Sequence, residues 1–378
     1  MIDLLRSALP LHTNPDLAAA ARRPWIVGQA NTGLKEARRA PNYATPNLAR
    51  WFRKNRSLGS RDRPVVSEII HGIIRHEALL LRAGARSPEE LVARWADMTE
   101  GDRFESLERT SPGEDLATAL NVPGPVATEW LATLGPEGAA GFAQALNHRP
   151  PMHIRTNTLR ISRADLVTTL ANEGVETAVL ESVGTGLRVI GRANLNQTKA
   201  FKNGLFEVQD GSSQMFVEAL PIEEGMRVLD LCAGAGGKSL AMAARGAEVI
   251  ATDIRSKALD ELEKRAERAG ANISLEQPSP AALVVVDAPC SGSGRLQRNP
   301  ALRWGLVDSF HLKVQSELLQ EAAEFVEPNG TLAYATCSLF RRENDHAIPD
   351  GWRIEEERTL WPHTDGTDGF FWRLLRRA

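Results

Sequence analysis

From Gly225 onward strand and helix patterns alternate without interruption, and no other feature of this 378-residue chain constrains its fold as strongly. "RVLDLCA" reads as a strand, followed by a glycine-rich turn and the helix "KSLAMAARGA"; "EVIATD" is a strand and "SKALDELEKRAERAG" a helix. "ALVVVDAPC" is a strand, "DSFHLKVQSELLQEAAEFV" a long helix, and "TLAYATCS" a strand after an "NG" turn. A strand can return parallel to its neighbour only through a crossover, so this order predicts an α/β fold built on a doubly wound parallel sheet. The unbroken apolar run before Asp287 is that of a strand covered on both faces. The tail segments "GWRIEEERTL" and "GFFWRLLRR" read as a terminal strand pair.

Upstream the pattern changes twice. Residues 1–147 read as a helical domain. "SRDRPVVSEIIHGIIRHEALLLRAG" has apolar residues three and four apart, "SPEELVARWADM" opens on a Ser cap, and "NVPGPVATEWLATLGPEGAAGFAQAL" reads as short helices punctuated by proline. The prolines of "NHRPPMHIRTN" mark a boundary near residue 148. Residues 148–224 mix strands and helices as a small α+β accessory segment, with "MHIRTNT" and "LRVI" as strands and "LFEVQDGSSQMFVEAL" running from strand to helix. The last domain is 225–378.

No apolar run reaches the length of a membrane span, and the N-terminus lacks the pattern of a secretory signal. The three cysteines, Cys232, Cys290 and Cys337, are odd in number and far apart, which argues against a disulfide framework and for a reducing cytoplasm. Without a CxxC pair or an HExxH, no metal is expected. The net charge is −3, but Met1–Arg63 carries 12 Lys/Arg against 4 Asp/Glu, a local +8 that leaves −11 for the rest. Such asymmetry fits either a polyanion-binding arm or a solvated helical face.

"DLCAGAGGKS" sits between a strand and a helix. A P-loop would need Gly where Cys232 stands, and Ser239 takes the place of the third Gly of a dinucleotide fingerprint after Gly234 and Gly236. Glycines at a helix start still let the backbone approach a ligand closely, and Asp253, ending the next strand, is placed for ribose hydroxyls. A nucleoside without a pyrophosphate, such as S-adenosylmethionine, fits this arrangement.

Cys290 and Cys337 each follow a predicted parallel strand, each is followed by Ser, and the carboxyl edge of such a sheet is where ligands bind. A thiolate beside a methyl donor suits one reaction well. Carbon 5 of cytosine is a poor nucleophile until a thiolate adds to carbon 6; afterwards the carbon-5 proton leaves and the thiol is expelled. Asp287 is placed to contact the ring, and Lys238 to orient the base or lower a thiol pKa.

"LDLCAGAGGKS", "DAPCSGSGRLQRNPALRW", "YATCS" followed by "REN", and the terminal "DGFF" resemble the RsmB/Sun family of S-adenosylmethionine-dependent RNA 5-methylcytosine methyltransferases. The resemblance covers roughly residues 150–378, and the helical region looks like a NusB-like RNA-binding domain. It implies a Rossmann-like class I methyltransferase domain with antiparallel terminal strands. By resemblance, Cys337 is the nucleophile, Cys290 assists elimination, and Asp287 and Lys238 meet the cytosine. Cys232, Ala233, Gly234, Ala235, Gly236, Gly237, Lys238, Asp253 and Asp287 are the residues expected at the cofactor. The expected partner is RNA, ribosomal rather than transfer RNA, and a monomer is expected. The rival readings are a DNA cytosine-5 methyltransferase and a non-catalytic RNA-binding protein on the same fold. The chain departs from the family in having Ala235 where Pro is usual. It also lacks an Asp after the third strand, drawn here through "SLEQPSPAAL", where Glu276, Gln277 or Ser279 are the substitutes at hand.

Overall fold

Val66, Ile69, Ile70, Ile73 and Ile74 recur three and four residues apart along the helix Asp62–Arg82, and all five are fully buried. That stripe is the core face of an amphipathic helix. Helices Pro24–Arg38 and Pro88–Met98 add Ala30, Leu34, Leu91 and Val92 to the same core. Ser87 caps the latter by accepting from the Glu90 amide at 3.1 Å. Gly135, at φ 67°, precedes Pro136 inside Gly124–Asn147, so two helices meet at a bend there, as the proline punctuation implies. This computed structural model describes residues 4–5, 15–39, 44–98, 111–308, 310–345 and 348–378. The helical reading of 99–110 and part of the basic segment, Asp3 and Arg6 among it, lie outside the described residues.

The chain divides into two units: Met1–Pro150 with Arg295–Ser309, and Pro151–Gly294 with Phe310–Ala378. The expected domain 225–378 is therefore interrupted, because 295–309 belongs with the helices. Ala301 and Trp304 pack into the helical core, and a buried cation adds polar contacts. Arg303 donates to the Arg75 carbonyl at 2.7 Å and to the Leu146 carbonyl at 3.0 Å. Leu146 lies in the last turn of its helix, where carbonyls lack intrahelical partners. The Arg75 carbonyl precedes His76, whose φ and ψ leave the helical region and break the ladder. A partner so remote in sequence leaves no local signal.

In the second unit, strands β1 (Met152–Thr156), β2 (Thr177–Val179), β3 (Gly186–Val189) and β4 (Phe206–Val208) form an antiparallel sheet in the order β2-β3-β1-β4. Segment 151–224 falls in the same compact unit as the C-terminal region. Asp210 caps the helix Gly211–Ala219 and also accepts from the Asp368 amide at 2.9 Å, while Asn157 donates to the Ala269 carbonyl at 2.7 Å.

The main sheet has seven strands, β5 (Arg227–Asp230), β6 (Glu248–Ala251), β7 (Ile273–Ser274), β8 (Ala281–Asp287), β9 (Val326–Thr336), β10 (Trp352–Leu360) and β11 (Phe370–Arg377), in the order β10-β11-β9-β8-β5-β6-β7. Pairings from β9 to β7 are parallel, and β11 is antiparallel to both β9 and β10. Alternate residues of one strand enter different cores: Leu283 and Val285 on one face, Val284 and Val286 on the other. That double coverage accounts for the unbroken apolar run. The third strand differs from its sequence reading. It ends at Ser274, and Glu276, Gln277 and Ser279 lie in the connection to β8. Pro278 and Pro280 lack the N–H that a strand ladder requires.

Candidate active site

Parallel pairing of β5, β6, β8 and β9 brings their carboxyl ends to one edge. Asp230 ends β5, and the glycine loop comes directly after it. Gly234 and Gly236 take φ of 56° and 80°, and a Cβ on Gly236 would come within 2.5 Å of Leu262 Cγ. Only glycine makes this turn without strain. Other elements hold the loop: Arg265 donates to the Ala235 carbonyl at 2.5 Å, and Gln209 Nε2 to the Gly237 carbonyl at 3.1 Å. Gln209 is itself fixed by buried Arg155 at 2.8 Å, so the accessory sheet supports the loop.

Beside the loop lies a cavity of about 120 Å³ lined by Gln209, Ser213, Asp230, Cys232, Ala233, Gly237, Lys238 and Asp287. Of the residues expected at the cofactor, Gly234, Ala235, Gly236 and Asp253 lie outside this lining. Asp253 lies two residues past the end of β6 with both oxygens engaged: Oδ2 accepts from the Gly234 amide at 2.9 Å and from Arg255 Nη2 at 3.0 Å, and Oδ1 from Arg255 Nε at 2.9 Å. Burial works against its charge, but the hydrogen bonds from Arg255 and Gly234 prevail and hold the carboxyl below its ordinary value.

Sequence reasoning did not single out Asp230. It is fully buried, its Oδ2 accepts from Ser239 at 2.7 Å, and its Oδ1 has no hydrogen-bond partner among the described residues. Burial pushes its carboxyl up to about 6. The available signal was an acid within the apolar run "VLDLC". Burial, with Asp230 close by, pushes the Cys232 thiol up to about 12.

Lys238 Nζ meets Asp287 Oδ2 at 2.5 Å and lies 5.1 Å above the Phe370 ring. Burial opposes the ammonium, but Asp287 outweighs it and raises the Lys238 pKa, with the Cys337 sulfur adding to the effect. The Cys290 and Cys337 sulfurs stand 3.3 Å apart. The hydrogen bond with Cys337, and then burial, raise the Cys290 thiol well above its ordinary value. The four residues expected at the cytosine thus gather at one sheet edge.

The C-terminal strand reaches the same place. The Gly294 amide donates to the Cys337 carbonyl at 2.9 Å, and the Gly369 amide to the Gly294 carbonyl at 2.8 Å. A Cβ on Gly294 would sit 1.9 Å from the Gly369 oxygen, so the two cysteine loops and the start of β11 cross with no room for a side chain. No group of three or more His, Cys, Asp or Glu among the described residues is placed to hold a metal, and no described helix is long and apolar enough to cross a membrane.

A glycine loop, an acid just past the next strand and an antiparallel strand inserted beside β9 define a Rossmann-like class I methyltransferase domain. Two solved structures share the fold. A methyltransferase homologue from Pyrococcus horikoshii has a TM-score of 0.61 at 24% identity, covering 71% of this chain and 100% of that one. NSun6 from the same organism has a TM-score of 0.58 at 20% identity, covering 66% and 97%. Residues 217–357 match the family described as 16S rRNA methyltransferase RsmB/F, and residues 126–196 match an RsmF/B-like ferredoxin-like domain. Two proteins named ribosomal RNA small subunit methyltransferase B are similar. That of Pectobacterium carotovorum is 30% identical over 62% of this chain and 61% of its own length, and that of Citrobacter koseri 29% over 83% and 74%. Over these residues the chain is similar to the RsmB/F methyltransferases. Its alignment with the Pectobacterium protein spans less than two thirds of that relative.

Proposed function

We propose that this protein transfers a methyl group from S-adenosylmethionine to carbon 5 of a cytosine in small-subunit ribosomal RNA, through a covalent bond between Cys337 and the base. The carrying observation is the pair of sulfurs 3.3 Å apart on the sheet edge that also bears the glycine loop and the Lys238–Asp287 pair.

The residues present fit the cofactor. The glycine loop leaves room for a close ligand, and Asp230 lines the adjoining cavity with a buried oxygen that lacks a partner among the described residues. Cys232 to Lys238, with Asp253, would hold the nucleoside, and the cofactor supplies an electrophilic methyl group. Asp253 reaches ribose hydroxyls once Arg255, largely exposed, swings aside.

The Cys337 thiolate, near the Lys238 cation, is the nucleophile of the scheme. That thiolate adds to carbon 6, and the electron pair displaced toward carbon 5 makes it nucleophilic. Asp287, held by Lys238, meets the polar edge of the ring. Cys290, kept protonated by its neighbour and by burial, stands beside the carbon–sulfur bond that must later break. The carbon-5 proton then passes to a solvent water, its bonding pair re-forms the 5,6 double bond, and Cys337 is expelled as a thiolate beside the Cys290 thiol, which restores aromaticity. Lys238 lines the cavity and is bonded to Asp287, so methyl donor and base would meet at one place.

A denaturing gel with labelled RNA and S-adenosylmethionine tests the scheme. Cys337→Ala yields no protein–RNA adduct and no methylation, whereas Cys290→Ala accumulates adduct because exit is blocked. Adduct in Cys337→Ala but not in Cys290→Ala reverses the assignment. Normal turnover in both variants returns the cysteines to packing roles.

A further inference from the structure

Each reactive cysteine is followed by a serine, and the two serines converge on one carboxylate. Glu343 is completely buried. Its Oε2 accepts from Ser291 Oγ at 2.5 Å and from Ser338 Oγ at 2.6 Å, and its Oε1 from the Ser291 amide at 2.9 Å and Gln315 Nε2 at 3.2 Å. Gln315 also donates to the Pro289 carbonyl at 2.8 Å, the residue before Cys290. The short helix Arg341–Asn344 that carries Glu343 is anchored in turn: Tyr334 Oη donates to the Glu343 carbonyl at 2.9 Å, and Asn344 Nδ2 to the Ser338 carbonyl at 3.0 Å.

A buried carboxylate is costly unless its acceptor sites are filled, so this one is stable only while both cysteine loops stay in place around it. Resting on the thiol mechanism above, we infer that Glu343 is a positioning residue. It ties the loop after β8 to the loop after β9 through Ser291 and Ser338, and so sets the separation of the Cys290 and Cys337 sulfurs. It touches neither base nor cofactor. It acts through the residues adjoining each thiol, and its negative charge also favours the protonated form of Cys290.

Glu343→Gln preserves volume but puts a donor where two hydroxyls donate. The full-length variant is compared with wild type by two readouts. The first is the rate at which diamide oxidises the two thiols to a Cys290–Cys337 disulfide, the diamide being reduced to its hydrazine, with the peptides resolved by mass spectrometry. The second is kcat and KM on RNA beside the calorimetric affinity for S-adenosylmethionine. A displacement on the order of 1 Å should slow disulfide formation and lower kcat by roughly tenfold to a hundredfold, with cofactor affinity unchanged. Ser338→Ala, which leaves the carboxylate its bonds to Ser291 and Gln315, should do the same to a lesser degree and carries the test if Glu343→Gln fails to fold. Wild-type disulfide rates and kcat in the folded variants overturn the inference, even where melting temperatures fall. A wild-type protein that oxidises rapidly but methylates no RNA would defeat the proposed function alone, because the thiol readout needs no turnover.

Discussion

Asp230→Asn keeps the acceptor that Ser239 bonds and removes a charge from a fully buried position. Each tenfold change in an ionisation constant corresponds to about 1.4 kcal/mol. The rise of the Asp230 carboxyl from 3.8 to about 6 therefore makes its ionised form cost the fold roughly 3 kcal/mol. The sign comes from proton counting. Between about pH 4 and pH 6 the folded carboxyl keeps its proton and the unfolded one has lost it, so wild-type stability falls with rising pH across that window. The Asn variant lacks this fall. Its amide NH₂ takes the place of the unpartnered oxygen and costs about 1–3 kcal/mol at every pH. The slope is therefore the test, not the absolute value. Urea unfolding followed by circular dichroism should show the stability of the variant, relative to wild type, improving by roughly 3 kcal/mol from pH 4 to pH 7. The same variant should bind S-adenosylmethionine more weakly, exchanging function for stability as strained sites do. Parallel stability profiles for the two proteins would refute the reasoning.

Asp253→Ala should weaken S-adenosylmethionine by about 1.5–3 kcal/mol, the range for hydrogen bonds to a charged group, whereas Arg255→Ala should leave affinity equal or better; unaltered calorimetric affinity in a folded Asp253→Ala removes that residue from the site. Arg53, Lys54 and Arg56 are exposed and make no ion pair among the described residues, unlike Arg22, Lys35 and Arg38. Their joint replacement by Ala should flatten the dependence of RNA affinity on salt concentration, and an unchanged slope assigns them to a solvated face.

The sheet was legible because periodicity is a local signal: "LVVVD" and "TLAYAT" declare strands buried on both faces, and their ends located both cysteines. Partnerships between distant residues left no such trace. Nothing in "PALRW" reveals that Arg303 donates to the Arg75 and Leu146 carbonyls, contacts made within the helical unit to which 295–309 belongs. Asp230 and Glu343 stood inside quoted motifs, "LDLC" and "REN", yet their weight comes from burial and hydrogen-bond partners, and spacing shows neither. Asp253 was legible as a strand-end acid, but its pairing with Arg255 depends on a side-chain conformation.

The crossing of Gly294 and Gly369 bears on how the protein is made. Synthesis proceeds from the N-terminus, so both cysteines, the glycine loop and Lys238 leave the ribosome before β11 does. Until residues 369–377 emerge, β9 has only β8 beside it and the Gly294 carbonyl lacks the amide that later meets it. A nascent chain therefore carries both cysteines, the glycine loop and Lys238 before the sheet edge on which they stand is complete. Early termination a few codons upstream would leave the chemistry's residues intact and its architecture missing.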